Sequence, residues 1–366
     1  MKRDRRDPVA LLVDSLRIYS PTTREGALGE FLCEEMERLG YSKVRTDGAG
    51  NAIGRIGSGR VRLLLCGHMD TVPGELKVRR TKESVSGRGA SDAKSPLCAL
   101  MLAGSRAIDS GVQVTFAGVT EEEGAGRGVE ELIRKAARYD YAVFGEPSGA
   151  HKITIGYRGR VSVNVLVRTQ GGHAGSPWAH ENAFDEFCSV LTRLREYEAS
   201  RTVAGDHFRS ISLSPTVVSA GSFHNVVPSR CEATLDLRVP PGTLAQDVLK
   251  DISSIATAGT GTRVEVTPGE ATEAYEAEPA SVLVRAFQRA ILLAIKAKPA
   301  LVRKTGTGDM NTFAQKRGVP CITYGPGDPT TSHTDHETVD VRDYLNSIEV
   351  ISEAISQLGK LSEGPA

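Results

Sequence analysis

A histidine and an aspartate follow the apolar run at the start of the segment LLLCGHMDTVPG, which spans residues 63–74. His68 follows a run of apolar residues, and Asp70 comes two positions later. Polar residues are common where strands end, so one interpretation is a capped strand followed by a solvated turn. The other interpretation is a metal-binding histidine whose ring is oriented by a nearby carboxylate. The choice between them depends on what the rest of the chain places beside this pair.

Other ionisable side chains also follow apolar segments: Asp92 in GRGASDAKSP, Glu121–Glu123 in TEEEG, Glu146 in FGEPSG and His333 in TSHTDHE. Taken alone, three acids before a helix could simply compensate the helix dipole. The triplet also precedes glycines, in EEEGAGRGVEELI, that loosely match a dinucleotide-binding loop. Three carboxylates beside those glycines would repel a pyrophosphate, so the pattern disfavours a nucleotide site.

The elements that carry these residues are short apolar strands, predicted at 61–66, 112–119 and 141–144. Helices alternate with them, such as the helix predicted at 95–108, which Ser95 is expected to cap. Strands that alternate with helices are typical of βαβ units and a largely parallel sheet. The first part of the chain is therefore predicted to be an α/β domain.

In an open α/β sheet the carboxyl ends of the parallel strands share one edge, so two histidines and at least three carboxylates should converge there. Such carboxylates raise each other's pKa unless cations neutralise them. Histidine and carboxylate ligands suit zinc, and cobalt or manganese would also fit. Five ligands are too many for one catalytic zinc with its water, but they suit two metals about 3.5–4 Å apart with a bridging carboxylate. The residues predict a two-metal hydrolase.

A second domain is predicted where the residue pattern changes near Gly156. Apolar residues then occupy every second position in GYRGRVSVNVLVRT, as in an antiparallel strand with one exposed face. Further strand and helix patterns predict a four-stranded sheet covered by two helices. We therefore expect an inserted α+β domain at 157–268 between the two parts, 1–156 and 269–366, of a discontinuous metal-binding domain.

Composition excludes several classes of partner. The 366 residues contain 45 Lys and Arg and 45 Asp and Glu, which argues against nucleic-acid or membrane-surface binding. The first 16 residues read as an amphipathic helix and not as a signal peptide, and no apolar run is long enough for a membrane span. Six cysteines without a C-x-x-C pair fit a reduced cytoplasmic compartment.

The motifs together resemble a family of metallopeptidases and deacylases that includes carboxypeptidase G, succinyl-diaminopimelate desuccinylase, acetylornithine deacetylase and aminoacylase. The matching segments, in chain order, are GHMDTVPG, GRGASDAKSP, EEEG, GEPSG, GGHAGSP, NVVPS, DLR and SHTDHE. The resemblance implies two metal ions, most simply Zn²⁺, and an inserted lid domain that is often used to form dimers.

The same resemblance implies a ligand set. One metal would be held by His68, Asp92 and Glu146. The other would be held by Asp92, Glu123 and His333, so that Asp92 bridges the two. Asp70 would orient the His68 ring.

Further roles are implied for residues around the metals. Glu122 would be the general base, although the family usually has Asp-Glu-Glu at this triplet, so the register could differ by one residue. His173 would be an oxyanion donor that reaches a partner's active site, or else a histidine in a surface turn. Asn225 and Arg238 match positions that contact a substrate carboxylate, and Arg238 could equally be a charge on the surface of a strand.

Within the family, the segments GHMDTVPGE, GRGASDAKSPL and KTGTGDMN are most similar to one branch of hydrolases. These enzymes act in lysine and arginine biosynthesis and free lysine or ornithine from the C-terminal glutamate of a small acidic amino-group carrier protein. The segments depart from the branch at Gly308, where serine is usual, and from many relatives at His336, where asparagine is usual. Either difference could alter the substrate pocket.

Two alternative functions remain open from the sequence. One is an N-acetyl-ornithine or N-acetyl-lysine deacetylase, or a dipeptidase, with the same metals and a different pocket. The other is a noncatalytic metal-dependent binding protein on the same scaffold, which the presence of Glu122 disfavours.

Overall fold

The computed structural model of the chain describes residues 6–259 and 263–361. Residues 1–5 and 362–366, at the two ends of the predicted discontinuous domain, lie outside the described residues. The described chain divides into two compact units. The first unit contains the described residues of Met1–Gly156, Ala277–Val302 and Gly308–Ala366, and the second contains those of Tyr157–Glu276 and Arg303–Thr307.

Within the described residues the α-helices are α1 Pro8–Arg17, α2 Gly26–Arg38, α3 Lys94–Gly104, α4 Arg127–Arg134, α5 Ala183–Ser200, α6 Ala245–Thr257, α7 Val282–Ala294, α8 Asp309–Arg317 and α9 Val341–Leu361. The strands of the first half are β1 Ser42–Thr46, β2 Ala52–Ile56, β3 Val61–His68, β4 Arg79–Arg80, β5 Ser84–Ser86, β6 Val112–Val119, β7 Tyr141–Gly145, β8 Lys152–Tyr157 and β9 Gly159–Arg168. The later strands are β10 Gly172–His173, β11 Ser212–Ala220, β12 Val226–Val227, β13 Arg230–Val239, β14 Arg263–Thr272, β15 Tyr275–Glu276, β16 Ala300–Lys304, β17 Cys321–Thr323 and β18 Thr338–Asp340. None of the helices in these ranges is both long enough and apolar enough to cross a membrane.

The main sheet of the first unit has a parallel centre. Its strands follow the order β1-β2-β6-β3-β7-β17-β8, and β6, β3, β7 and β17 run parallel to one another. The outer strands β1, β2 and β8 pair in antiparallel fashion. Strand β3 is apolar and buried from Leu63 onwards, as expected for a central strand covered on both faces. This arrangement confirms the predicted α/β class with a largely parallel sheet.

Helix α3 packs on the parallel centre of the sheet and contacts α1 and α9. Every residue of this helix is buried, and after Lys94 its sequence is small or apolar throughout. The prediction that Ser95 caps the helix was wrong. Ala93 is the N-cap, because its carbonyl already accepts the N–H of Leu97. The Ser95 hydroxyl is buried and has no hydrogen-bond partner among the residues that the structure describes.

The second unit contains a four-stranded antiparallel sheet in the order β11-β13-β9-β14, with α5 and α6 packed against it. Val161, Val163, Val165 and Val167 of β9 all point into the core of this unit, where helix residues such as Phe187 cover them. The alternating pattern and the two helices over four strands were thus predicted correctly. The inserted domain was predicted at 157–268, and β14 continues to Thr272 within this unit.

Candidate metal centre

Three parallel strands bring their chemically active residues to one edge of the sheet. His68 is the last residue of β3 and lies opposite Val119, the last residue of β6. The glutamate triplet follows β6 after one intervening residue, and Glu146 directly follows β7. Because β3 is paired in parallel with both β6 and β7, these side chains leave the sheet at the same end.

The five side chains predicted as metal ligands form one cluster in the first unit. Nε2 of His68 lies 3.3 Å from Oδ1 of Asp92 and 3.8 Å from Oε1 of Glu146. Nε2 of His333 lies 2.6 Å from Oε1 of Glu123 and 3.5 Å from Oδ2 of Asp92. Asp92 therefore directs one carboxylate oxygen toward each histidine, which is the geometry required of a bridging ligand.

Asp70 lies behind His68, on the side away from the cluster. Nδ1 of His68 is 2.9 Å from the backbone carbonyl oxygen of Asp70 and 3.5 Å from its carboxylate Oδ1. Both side chains are buried, with exposures of 2% for His68 and 0% for Asp70. This burial excludes a solvated turn, and the contacts at Nδ1 leave Nε2 directed into the cluster.

The members of the glutamate triplet differ in their surroundings. Glu121 has a positive φ of 59° and accepts a hydrogen bond at 3.1 Å from Arg127. Glu123 contacts His333. Glu122, between Glu121 and Glu123 in the chain, is half-buried. The register of the triplet therefore places Glu121 in an ion pair, Glu123 in the cluster and Glu122 beside the cluster.

The electrostatics of the cluster follow from burial and from its excess of carboxylates. Burial alone would lower the pKa of His68, but hydrogen bonds to Asp70 and Asp92 outweigh it and raise this pKa well above its usual value. Burial also raises the pKa of Glu122, and the nearby carboxylate of Glu146 raises it further. Bound divalent cations would offset this accumulation of negative charge.

Asp309 is an acidic neighbour that sequence reasoning did not single out. It begins α8, and burial raises its pKa to about 8. Its Oδ2 is buried and has no hydrogen-bond partner within the described part of the chain. The preceding residue, Gly308, lies against Glu122, because a Cβ at Gly308 would be 3.2 Å from Oε1 of Glu122. In the sequence, the motif KTGTGDMN is the only feature that points to Gly308 or Asp309, because it has glycine at 308 where serine is usual.

The other predicted site residues lie in the second unit. His173 of β10 is exposed and pairs with Val226 of β12, and the backbone carbonyl of Asn225 accepts the N–H of Ala174. The structure thus places His173 and Asn225 side by side. Arg238 of β13 is partly buried, and its Nε donates to Asp236 at 2.7 Å while its Nη1 donates to Thr307 at 3.2 Å.

The cluster has the chemistry of a transition-metal site. One ligand atom from each of His68, Asp92 and Glu123 lies within 4.8 Å of the others. Imidazole nitrogen and carboxylate oxygen donors without thiolates suit zinc and similar divalent ions. A glutamate outside the ligand set but next to it is where a hydrolytic site requires a proton acceptor. The fold and the cluster together define a metal-dependent hydrolase.

The chain belongs to peptidase family M20/M25/M40, whose model matches residues 64–357. The match confirms the family resemblance drawn from the motifs. It also confirms the assignment of the chain as a metal-dependent amide hydrolase.

Two relatives align with nearly the whole chain. A Pyrobaculum aerophilum protein is 36% identical over 95% of this chain and 97% of its own length, and it bears a provisional name as a LysW-lysine/LysW-ornithine hydrolase. A Deinococcus radiodurans protein named LysW-lysine hydrolase is 33% identical over 95% of this chain and 96% of its own.

Solved structures share the fold at low sequence identity. Aminopeptidase PepT from Bacillus cereus has a TM-score of 0.82 at 19% identity and covers 96% of this chain and 98% of its own. The YxeP protein of Bacillus subtilis, described as a dinuclear metal-binding peptidase of the M20 family, has a TM-score of 0.77 at 12% identity, with coverage of 96% and 98%. At these identities the likeness establishes the architecture alone.

Proposed function

We propose that this chain is a dinuclear amide hydrolase that releases lysine or ornithine from the C-terminal glutamate of an acidic amino-group carrier protein. The observation that carries the proposal is the alignment of 95% of the chain, at 33–36% identity, with proteins named for such carrier-linked substrates. The motifs GHMDTVPGE and GRGASDAKSPL, read from the sequence, agree with that alignment.

The proposed metal ligands are the five clustered side chains. His68, Asp92 and Glu146 would hold one ion, and Asp92, Glu123 and His333 would hold the other. When bound, two zinc ions would polarise the amide carbonyl and activate water. Within this cluster, the two oxygens of Asp92 face different histidines, which supports its role as the bridge.

Glu122 is the proposed general base, which would take a proton from the attacking water and deliver it to the leaving nitrogen. Its neighbours in the triplet have other partners, since Glu121 pairs with Arg127 and Glu123 contacts His333. The absence of a side chain at Gly308 leaves space next to the Glu122 carboxylate. These contacts support Glu122 and disfavour a shift of the register by one.

The second unit is proposed to complete the active site of a homodimer. Nδ1 of His173 accepts the N–H of Gly175 at 2.9 Å, so in the neutral ring Nε2 carries the proton and can donate to a developing oxyanion. Strand β11 lies at an edge of its sheet with Val217 and Val218 exposed, which supports pairing with a second copy. Asn225 and Arg238 are proposed to contact a substrate carboxylate.

The proposed compartment is the cytoplasm. The described residues include all six cysteines, and each of them is a free thiol. Unpaired cysteines, four of them buried, fit a reducing environment.

A hydrolysis panel tests the function. Purified protein with added zinc or cobalt would be given carrier-linked lysine, carrier-linked ornithine, N-acetyl-ornithine, N-acetyl-lysine and dipeptides. We expect kcat/KM to be highest for a carrier-linked substrate, and the Glu122→Gln variant serves as the inactive control. Faster hydrolysis of an acetylated amino acid or a dipeptide would overturn the substrate assignment, while inactivity on every substrate would overturn the hydrolase itself.

A further inference from the structure

Glu337 occupies a position that the roles described so far do not explain. It closes the motif SHTDHE four residues after His333, and its side chain is buried with an exposure of 1%. Its Oε1 accepts two consecutive backbone N–H groups, from Ser91 at 3.1 Å and from Asp92 at 2.8 Å. A carboxylate that binds two successive N–H groups fixes the direction in which the second residue points.

The charge of Glu337 is matched by a buried arginine. Nη1 of Arg88 donates to Oε2 of Glu337 at 3.1 Å, and the Arg88 side chain has an exposure of only 7%. The same Nη1 donates to the carbonyl of Thr334 at 3.0 Å, and Nε donates to the carbonyl of Gly74 at 2.8 Å. Arg88 therefore connects the loop after His68 with the loop that carries His333.

Gly74 shows how closely this arginine is packed. Its φ is +108°, and a Cβ at this position would lie 3.3 Å from Nη2 of Arg88. A side chain here would be strained by the backbone and would also press on the guanidinium.

We propose that Glu337 is a positioning residue for the bridging ligand. Its carboxylate holds the backbone of Asp92 so that the two oxygens of Asp92 face His68 and His333, and the hydrogen bond from Arg88 holds the Glu337 carboxylate in place. The proposal rests on the assignment of Asp92 as a metal ligand. Glu337 itself contacts neither histidine and acts only through the backbone of Asp92.

Two double variants separate the backbone hydrogen bonds from the ion pair. Arg88→Met with Glu337→Gln removes both charges but keeps an acceptor oxygen for the N–H groups of Ser91 and Asp92. Arg88→Met with Glu337→Met removes the same charges and also removes the acceptor. Since a buried ion pair can often be replaced by neutral residues, the first variant is the matched control.

The readouts are zinc affinity and the visible spectrum of the cobalt-substituted protein. We expect the Gln variant to bind both metal ions with nearly wild-type affinity. The Met variant should bind them about 10- to 100-fold more weakly, with an altered cobalt spectrum, while circular dichroism shows the native fold. Because the Glu337 carboxylate is bound by Arg88 and by the N–H groups of Ser91 and Asp92, the proposal has it act only through the metal site, so saturating metal should restore most of the kcat of the Met variant with KM unchanged.

Glu337→Asp covers the case in which the Met variant does not fold, because it keeps the charge but withdraws the carboxylate by one methylene. It should also weaken metal binding. Wild-type metal affinity and an unchanged cobalt spectrum, in either a folded Met variant or Glu337→Asp, would overturn the positioning role. If the wild-type protein bound no divalent metal, the metal centre of the proposed function would fail instead.

Discussion

Asp70 accepts a hydrogen bond from the backbone N–H of Glu122 through Oδ1, at 3.1 Å. Its Oδ2 accepts the next N–H, that of Glu123, at 3.0 Å, and also the hydroxyl of Thr22. The carboxylate that lies behind His68 thus also fixes the loop that carries the proposed base. Asp70 and Glu337 each hold two consecutive N–H groups of a loop that carries a proposed metal ligand, Asp70 with both of its oxygens and Glu337 with Oε1 alone.

Asp70→Asn should therefore reduce catalysis without unfolding the protein. An amide has only one acceptor oxygen, so its NH₂ group would face a backbone N–H or the His68 ring. We expect kcat to fall about 10- to 100-fold, as is typical when an outer partner of a metal ligand is lost. Thr22→Val removes only one hydrogen bond to Asp70 and should change kcat by less than about fivefold. Wild-type kcat in a folded Asp70→Asn enzyme would contradict the role given to Asp70.

Asp92→Ala should disturb both metal positions, because Asp92 directs one oxygen to each half of the cluster. Elemental analysis of the purified variant should find well below the metal content of the wild type, and activity should be lost. Asp335→Ala is the matched control, since this carboxylate is 89% exposed, lies only two residues from His333 and makes a long ion pair with Arg88, at 3.9 Å. Full metal content in Asp92→Ala would mean that the site is elsewhere.

Glu122→Gln should keep the metal but lose at least about a hundredfold in kcat, which is the usual contribution of a positioned proton-transfer group. Glu121→Gln should be far milder, because Glu121 is paired with Arg127 at 3.1 Å and does not contact the clustered histidines. Measuring kcat and metal content for both variants decides which glutamate of the triplet is the general base. An inactive Glu121→Gln beside an active Glu122→Gln would move the base by one residue.

Much of the cluster could be predicted from sequence, because its parts are tied to strand ends. His68, the glutamate triplet and Glu146 each follow a buried apolar run, and parallel strands bring such ends together. The structure then adds what no spacing could show. Asp92 lies in a loop with no strand of its own, and its backbone N–H is bound by Glu337, which is 245 residues away along the chain.

Other features could not be predicted because they depend on tertiary packing. Ser95 has the residue type of an N-cap, but in the turn before α3 the N–H of Lys94 bonds to the carbonyl of Gly89, and the N-cap lies two residues earlier, at Ala93. The unpaired Oδ2 of Asp309 is a consequence of burial that its motif does not encode. The residue type alone predicts caps and side-chain partners poorly wherever a loop is held by residues distant in the sequence.

Asp140→Asn should lower stability in a pH-dependent way and leave the site intact. Asp140 accepts hydrogen bonds from the guanidinium of Arg62 at 3.0 and 3.3 Å and from the backbone N–H of Arg62 at 2.8 Å. Arg62 lies near the start of β3, and His68 is at the other end of this strand. The hydrogen bond from Arg62 lowers the pKa of Asp140 in the folded protein. A lowered pKa adds stability above the unfolded value of about 4, and this contribution is lost as the pH falls through the folded pKa.

Because the Asp140 side chain is 37% exposed, we expect Asp140→Asn to lower the free energy of unfolding by only ~0.5 kcal/mol at pH 7. Urea unfolding of the wild type and of Asp140→Asn at several pH values should show this difference narrowing below about pH 4. Asp109→Asn is the control, since Asp109 forms no ion pair within the described ranges, and it should show no such trend. A difference that stays constant down to low pH would contradict the account.

The last prediction concerns His173, which lies in the second unit, far along the chain from every proposed metal ligand. An oxyanion donor must come within about 3 Å of the developing charge, so an exposed histidine on this unit acts only when closure or a partner chain brings it to the substrate. If the partner supplies it, two inactive variants should complement each other. His173→Ala and Glu122→Gln, mixed under conditions that exchange subunits, form dimers with one site that contains both residues. Random exchange should restore about a quarter of wild-type activity, since half of the dimers are mixed and each mixed dimer has one complete site.

Mixing Asp92→Ala with Glu122→Gln should restore nothing, because both lesions lie in the same unit of the chain. Complete exchange without any recovery in the first mixture would show that His173 does not serve a partner's site.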